Sequence, residues 1–296
     1  MGVAPGGKGM ELKEAIGRRR SMRFLRPYKP VERAKLQKML EAARLASFWG
    51  NVQALGAVVI ERATAPADVL AALPVGTAIG GFQFRLAPVV IVWTLDWRRV
   101  AEQGERLHEL VDAGAVGVSP EKSHGWLDST LIPFFQAATE AIRQNGLTEL
   151  DCGQGIAQAT LVAYEEGLGT CLLGCPNDRR LRRALGLPKE VKVLVLQTVG
   201  YPAEDPEAGG QRPRLPFETR FALNHHATPF PRDPAVVEEL RRAKMIWREA
   251  PLAYRRAELR WLQEQYGLSE IFGDEVPEIM ADMMAAASEG DGGKAT

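Results

Sequence analysis

Five arginines and one serine crowd positions 18–26: Arg18, Arg19, Arg20, Ser21, Arg23 and Arg26. Guanidinium forks and a hydroxyl within a few residues suit a phosphate, whose oxygens accept several charge-assisted hydrogen bonds. A solvated basic face at the negative end of a preceding helix would explain the same residues without a ligand. A second candidate is Ser47-Phe48-Trp49-Gly50-Asn51-Val52-Gln53, polar and aromatic together directly after an amphipathic run. Loops of this kind carry ligand contacts; a turn with Gly50 or Asn51 in the left-handed region is the alternative. The third is residues 151–174, DCGQGIAQATLVAYEEGLGTCLLG. It reads as a helix with glycines at its N-terminal end, stopped at Gly167-Leu168-Gly169. Glycines there would leave backbone N–H groups unshielded, able to face an anion or the acceptor edge of a flat cofactor. A tightly packed core helix with no ligand is the other reading.

Other chemistry is missing. His108, His124, His225 and His226 show no HExxH or other ligand spacing. Cys171 and Cys175 are four apart without companions, so no metal is expected. Neither a GxSxG elbow nor a Walker A loop occurs. No side chain presents itself as a catalytic nucleophile, and a borrowed cofactor would supply what the side chains lack.

The chain has 296 residues, 46% hydrophobic and 25% charged, with 37 basic and 37 acidic side chains. A formal charge of zero argues against nucleic-acid or membrane-surface binding through bulk charge. Three cysteines clustered in one region are no disulfide framework, and a reducing, cytoplasmic setting is expected. No apolar run approaches the roughly 20 residues that span a bilayer. Gly2 follows Met1, but Gly6 stands where N-myristoylation needs Ser or Thr.

Elements must position the candidates. Residues 10–20 read as a short helix, and 31–46 as an amphipathic one through Leu36, Met39, Leu40 and Ala43. Strands are expected at 56–61, 88–95 and 191–199, the second apolar on both faces and therefore central. Helices are expected at 66–73, at 97–113, at 128–145 with Asp128 or Ser129 as cap, and after Asn177 or Asp178; residues 114–127 read as a loop. Residues 1–10 and 289–296 read as disordered. From residue 225 to 288 the texture becomes helical, with helices expected near 234–249, 251–266 and 275–287.

Four features in order resemble the FMN-dependent nitroreductase family over residues 12–224. Arg19-Arg20-Ser21-Met22-Arg23 is similar to the family's opening RRSxR. EAARLASFWGNVQ resembles its EAARxAPSxxNxQP loop. Asp151-Cys152-Gly153, with GLGTCLLG downstream, resembles its DxGxAxQN helix and GLGTCWxG continuation. A strand ending Gly200-Tyr201-Pro202 leads into a loop with late arginines. The resemblance implies an α+β fold, a mixed β-sheet flanked by helices, in an intertwined homodimer with FMN at the interface. It implies that Arg19, Arg20, Ser21 and Arg23 hold FMN, with Arg212 or Arg214 adding a phosphate contact. Asn51, with Gly50 and Gln53 nearby, would reach the flavin of the other subunit. The backbone at Gln154 and Gly155 would donate to the ring, and Leu173 and Gly174 would pack near it. NAD(P)H would be the reductant, and a nitroaromatic, quinone or similar small molecule the acceptor.

The chain departs from the pattern in places. Ser47-Phe48 replaces Pro-Ser and Trp49 follows, so Phe48 and Trp49 are expected to shape the substrate pocket. Ala54 replaces a Pro, and Ala157-Gln158 replaces Gln-Asn. The same superfamily includes reductive dehalogenases, azoline dehydrogenases and a flavin-cleaving enzyme. A flavin-binding or partner-docking protein with little turnover is a third possibility, with the helices after residue 225 as its surface.

Overall fold

The computed structural model describes residues 10–74, 81–175 and 178–266. The expected lead-in before residue 10, the helix at 275–287 and the tail at 289–296 lie outside them. Four strands, β1 (Leu55–Glu61), β2 (Val89–Asp96), β3 (Gly169–Leu173) and β4 (Val191–Gly200), pair in the order β1-β2-β4-β3. All three pairings are antiparallel. The mixed sheet is therefore corrected to an antiparallel one among the described residues; an isolated parallel bridge joins Ser21 to Thr170 of β3.

The helices are α1 (Leu12–Arg18), α2 (Arg33–Arg44), α3 (Ala67–Ala72), α4 (Gly81–Leu86), α5 (Trp97–Ala101), α6 (Gln103–Asp112), α7 (Pro120–Trp126), α8 (Ile132–Ala137), α9 (Thr139–Asn145), α10 (Leu147–Glu165), α11 (Arg179–Ala184), α12 (Pro234–Arg242) and α13 (Arg255–Tyr266). Residues 120–126 are thus helical, not loop. Pro120 sits in the first turn, where its missing N–H costs nothing. The single helix expected at 128–145 is divided into a π turn at Leu127–Leu131, α8 and α9, and neither Asp128 nor Ser129 caps it. Toward the C-terminus the expected helices shorten to α12 and α13; Lys244 and Arg248, with φ of 57° and 43°, break the chain between them.

Alternation along β2 explains why the sheet is covered on both faces. Val90 and Val92 join Met22, Leu25, Ile60, Phe84, Leu181 and Leu196 on one side. Val89, Ile91 and Trp93 join Leu36, Met39, Ala43, Ile156, Ala159 and Ala163 on the other. The second cluster is where α2 and α10 pack together against the sheet. On this face a buried relay runs from Trp93 Nε1–H to Gln197 Oε1 (2.8 Å) and from Gln197 Nε2–H to Thr160 Oγ1 (2.9 Å). Each polar atom is thereby paired inside the core.

Helix α10 begins four residues earlier than residue 151. Gly146, at φ 75°, hinges it from α9, and the Asn145 side chain accepts from Leu147 N–H at 2.8 Å. Gly153 and Gly155 therefore sit inside the helix rather than at its bare N-terminal end, and their N–H groups belong to the helical ladder. The C-terminal segment folds back on the body. Leu262 of α13 is fully buried against Phe24 and Leu86, and Arg255 bonds Glu204 at 2.6 Å. Among the described residues, no helix is long and apolar enough to cross a membrane.

Candidate functional site

Leaving α1, the chain runs beside β3. Met22 N–H donates to the Thr170 carbonyl at 2.9 Å, and Arg23 and Phe24 N–H donate to Glu204 Oε1 at 2.5 and 3.0 Å. Strand-like pinning puts Arg19 and Ser21 on the wall of a cavity of about 430 Å³. Ile16, Ala157, Thr160, Leu161, Thr170 and Leu172 complete the wall. That volume falls within the roughly 300–1,000 Å³ of small-molecule sites.

Arg19 is the arginine on this wall, and its charge is linked to those of Arg214, Arg212 and Arg23. Burial, and then the nearby Arg214 charge, depress the Arg19 guanidinium below its ordinary value. Burial, and then Arg23 and Arg255, do the same to Arg212. Arg19, Arg23, Arg212 and Arg214 form no ion pair among the described residues. The hydrogen bonds of the last three reach only main-chain carbonyls: Arg23 to Ser21 at 3.4 Å, Arg212 to Ala208 and Gly210 at 2.8 and 3.1 Å, Arg214 to Pro213 at 3.1 Å. Guanidiniums outside any ion pair keep donors of the kind that suit a phosphate, although the Glu204 carboxylate also acts on Arg212. Both late arginines border a second cavity, of about 880 Å³.

Arg20 does not join them. Its side chain is 3% exposed and turned inward, donating to the Gly17 carbonyl at 2.6 Å and to Glu207 Oε2 at 3.3 Å. Its guanidinium, expected at FMN, is engaged in a buried ion pair. Gly155, expected to donate its backbone to the ring, lies inside α10. A Cβ there would meet Leu55 Cδ2 at 2.6 Å and the Ala43 carbonyl oxygen at 2.9 Å, so its bare backbone lets α2 and α10 approach each other. Gln154 is exposed, its amide donating to Asp151 Oδ1 at 3.2 Å. Leu173 packs on the sheet core, because strand alternation turns Leu172 and Thr170 to the cavity instead. Gly174 is exposed, with open space where a Cβ would stand. Sequence reasoning missed Thr160, Thr170 and Leu172 as cavity residues; the alternation of β3 was the signal for the last two.

The loop after α2 is strained. Gly50, Asn51 and Gln53 have φ of 50°, 54° and 48°, and only the first is a glycine. Such conformations cluster at ligand sites and persist only where surroundings enforce them. The enforcing contacts come from α10. Asp151 Oδ2 accepts from Trp49 N–H at 2.8 Å, and Thr148 Oγ1 accepts from Trp49 Nε1–H at 3.1 Å. Sequence reasoning gave neither residue this role, although a buried acid in an apolar helix must be satisfied by some donor. Trp49, expected to shape the substrate pocket, is half-buried, lies 5.5 Å from the Phe135 ring and is not among the residues lining the cavity that Phe48 borders. Phe48 and Gln53 do line a cavity, of about 300 Å³, together with Arg44 and Trp93. It shares no lining residue with the arginine-bordered one.

An arginine-edged cavity against an antiparallel sheet and a buried helix defines an α+β protein equipped for an anionic ligand. The profile of the nitroreductase family matches residues 16–119 and 122–201. An NADH dehydrogenase of Thermus thermophilus is 30% identical over 210 residues, 71% of this chain and 94% of that protein. The chain belongs to the nitroreductase family, and by that membership it is an oxidoreductase. Two solved structures share the fold. One, from Exiguobacterium sibiricum, is assigned as a nitroreductase and is in complex with FMN; it has a TM-score of 0.58 and 20% identity, covering 71% of this chain and 95% of that one. The other is CLA-ER, an enone reductase of gut-bacterial fatty acid saturation, with a TM-score of 0.58 and 20% identity, covering 73% and 98%.

Proposed function

We propose that the chain is an FMN-dependent oxidoreductase that takes hydride from NAD(P)H and passes it to a nitroaromatic, quinone or similar small acceptor. The observation that carries this is Arg19 on the wall of a cavity of about 430 Å³, within electrostatic reach of Arg214, which with Arg23 also acts on Arg212, and none of the four in an ion pair among the described residues. The donors fit a phosphate monoester, and the apolar Ile16, Ala157, Leu161 and Leu172 fit the flat remainder of such a ligand. FMN, when bound, supplies the two-electron chemistry that the side chains lack. Burial pushes the Cys152 thiol up to about 12 and Cys175 to about 11, so neither is a nucleophile near neutral pH.

In this reading Arg19, Arg23, Arg212 and Arg214 neutralise the phosphate, and Ser21 and Thr170 stand beside the polar chain of the ligand. Phe48 and Gln53, with Gly50 and Asn51 beside them, border a separate cavity. In this reading the protein is a homodimer in which this loop reaches the flavin of the other copy. The Thermus relative's name supports NADH as a reductant, and that of CLA-ER adds enones to the acceptors worth assaying. Three cysteines outside any disulfide support a reducing, cytoplasmic location.

The test is anaerobic mixing of the FMN-loaded protein with NADH or NADPH. The yellow flavin band is expected to bleach and to return when the acceptor is added. Bound flavin that neither nicotinamide reduces, or a protein that takes up no FMN, contradicts the proposal.

A further inference from the structure

His108 of α6 and His124 of α7 are sixteen positions apart in sequence and meet in the fold. Their Nδ1 atoms lie 2.6 Å apart, with ring centroids 4.9 Å apart and planes 23° from parallel. Behind each ring stands a carboxylate. His108 Nε2 is 2.9 Å from Asp128 Oδ1, and His124 Nε2 is 2.9 Å from Asp112 Oδ1. An ionised carboxylate can only accept, so each Nε2 carries the ring's proton and each Nδ1 presents a lone pair. Two lone pairs that face each other at this distance repel unless a cation stands between them.

Proteins orient metal-binding imidazoles in this way, one nitrogen held by a carboxylate and the other turned to the ion. Imidazole nitrogen suits zinc and its first-row neighbours. With neutral rings the quartet carries two negative charges, which a divalent ion would balance. Both histidine side chains are 30% exposed, so water can reach the remaining coordination positions. Among the described residues no group of three or more His, Cys, Asp or Glu is placed to hold a metal, so the two imidazoles would be the ion's only protein ligands. Tetrahedral coordination with Zn–N bonds of about 2.0–2.1 Å separates the nitrogens by about 3.3 Å, so the half-exposed rings would part by roughly 0.7 Å.

We propose that His108 and His124 form a site for a divalent transition metal of the zinc class, with Asp128 and Asp112 as its orienting residues. The ion would staple α6 to α7. These helices belong to the segment between β2 and α10, in which Leu107 and Val111 of α6 pack with Leu131, Ile132 and Phe135, and Phe135 supports Trp49 of the strained loop.

The experiment is titration of metal-stripped, tag-free protein with Zn²⁺ by calorimetry, with a thermal melt at each end point. One zinc per chain and a raised melting temperature are expected. His108→Gln and His124→Gln should each abolish both effects. Asp112→Asn or Asp128→Asn should weaken binding roughly 10- to 100-fold. The double variant of His225→Gln with His226→Gln, the other two histidines of the chain, should bind as the parent does. Absence of zinc binding in the micromolar range, or equal affinity in His108→Gln, would overturn the proposal and leave a shared proton as the cation between the rings.

Discussion

Arg19→Ala is expected to weaken FMN binding about 10- to 150-fold, the loss of one charge-assisted contact worth roughly 1.5–3 kcal/mol. Folding stability should stay near that of the parent, because Arg19 is engaged in no ion pair among the described residues and its charge sits beside that of Arg214. Arg20→Ala, one residue along, should do the reverse. The Arg20 and Glu207 side chains are 3% and 6% exposed, and removing the cation leaves the buried carboxylate with only Arg18 at 3.2 Å and Trp247 Nε1–H at 3.3 Å. Breaking a buried pair from one side costs about 3–5 kcal/mol. Flavin fluorescence titration and urea unfolding on both variants separate the two roles. Parental FMN affinity in Arg19→Ala would reduce the arginine cluster to a basic surface.

Gly155→Ala is expected to destabilise the fold by about 1–3 kcal/mol, as overpacking does. Gly153→Ala, two residues earlier in the same helix, should stabilise it by up to about 0.8–1.0 kcal/mol, the helix-propensity difference between the two residues. At position 155 the new methyl group would meet Leu55 Cδ2 at 2.6 Å and the Ala43 carbonyl oxygen at 2.9 Å, and the latter is backbone that cannot swing away. At position 153 nothing lies within 4 Å. Urea denaturation of the flavin-free protein reads both. Shifts of the same sign would mean that the approach of α2 to α10 does not depend on Gly155.

The contrast between these glycines shows what a sequence pattern conveys and where it stops. Both were legible as small residues in an apolar helix. Which of them touches a neighbour depends on α2, more than a hundred positions away. Strand β2 was legible because both of its alternating faces are apolar, which only a doubly covered strand requires. The Arg19–Arg23 segment was legible as a cluster of arginines, but the inward turn of Arg20 depends on Glu207 in a distant loop. The start of α10 was hidden because a single left-handed glycine, Gly146, joins it to α9, and because Thr148 and Glu149 interrupt the apolar run. Helix α7 was hidden by Pro120 and Gly125, which the first turn and an open face tolerate. The histidine pair had no motif spacing, since it closes only when α6 and α7 fold together.

A crystal structure of the protein with FMN tests the central claim most directly. The predicted result is a phosphate against Arg19, Arg23 and Arg212, the ring system in the cavity between Ser21, Leu172 and α10, and the Phe48–Gln53 loop of a second copy beside it. FMN seated away from these arginines, or its phosphate turned to solvent, would contradict the account.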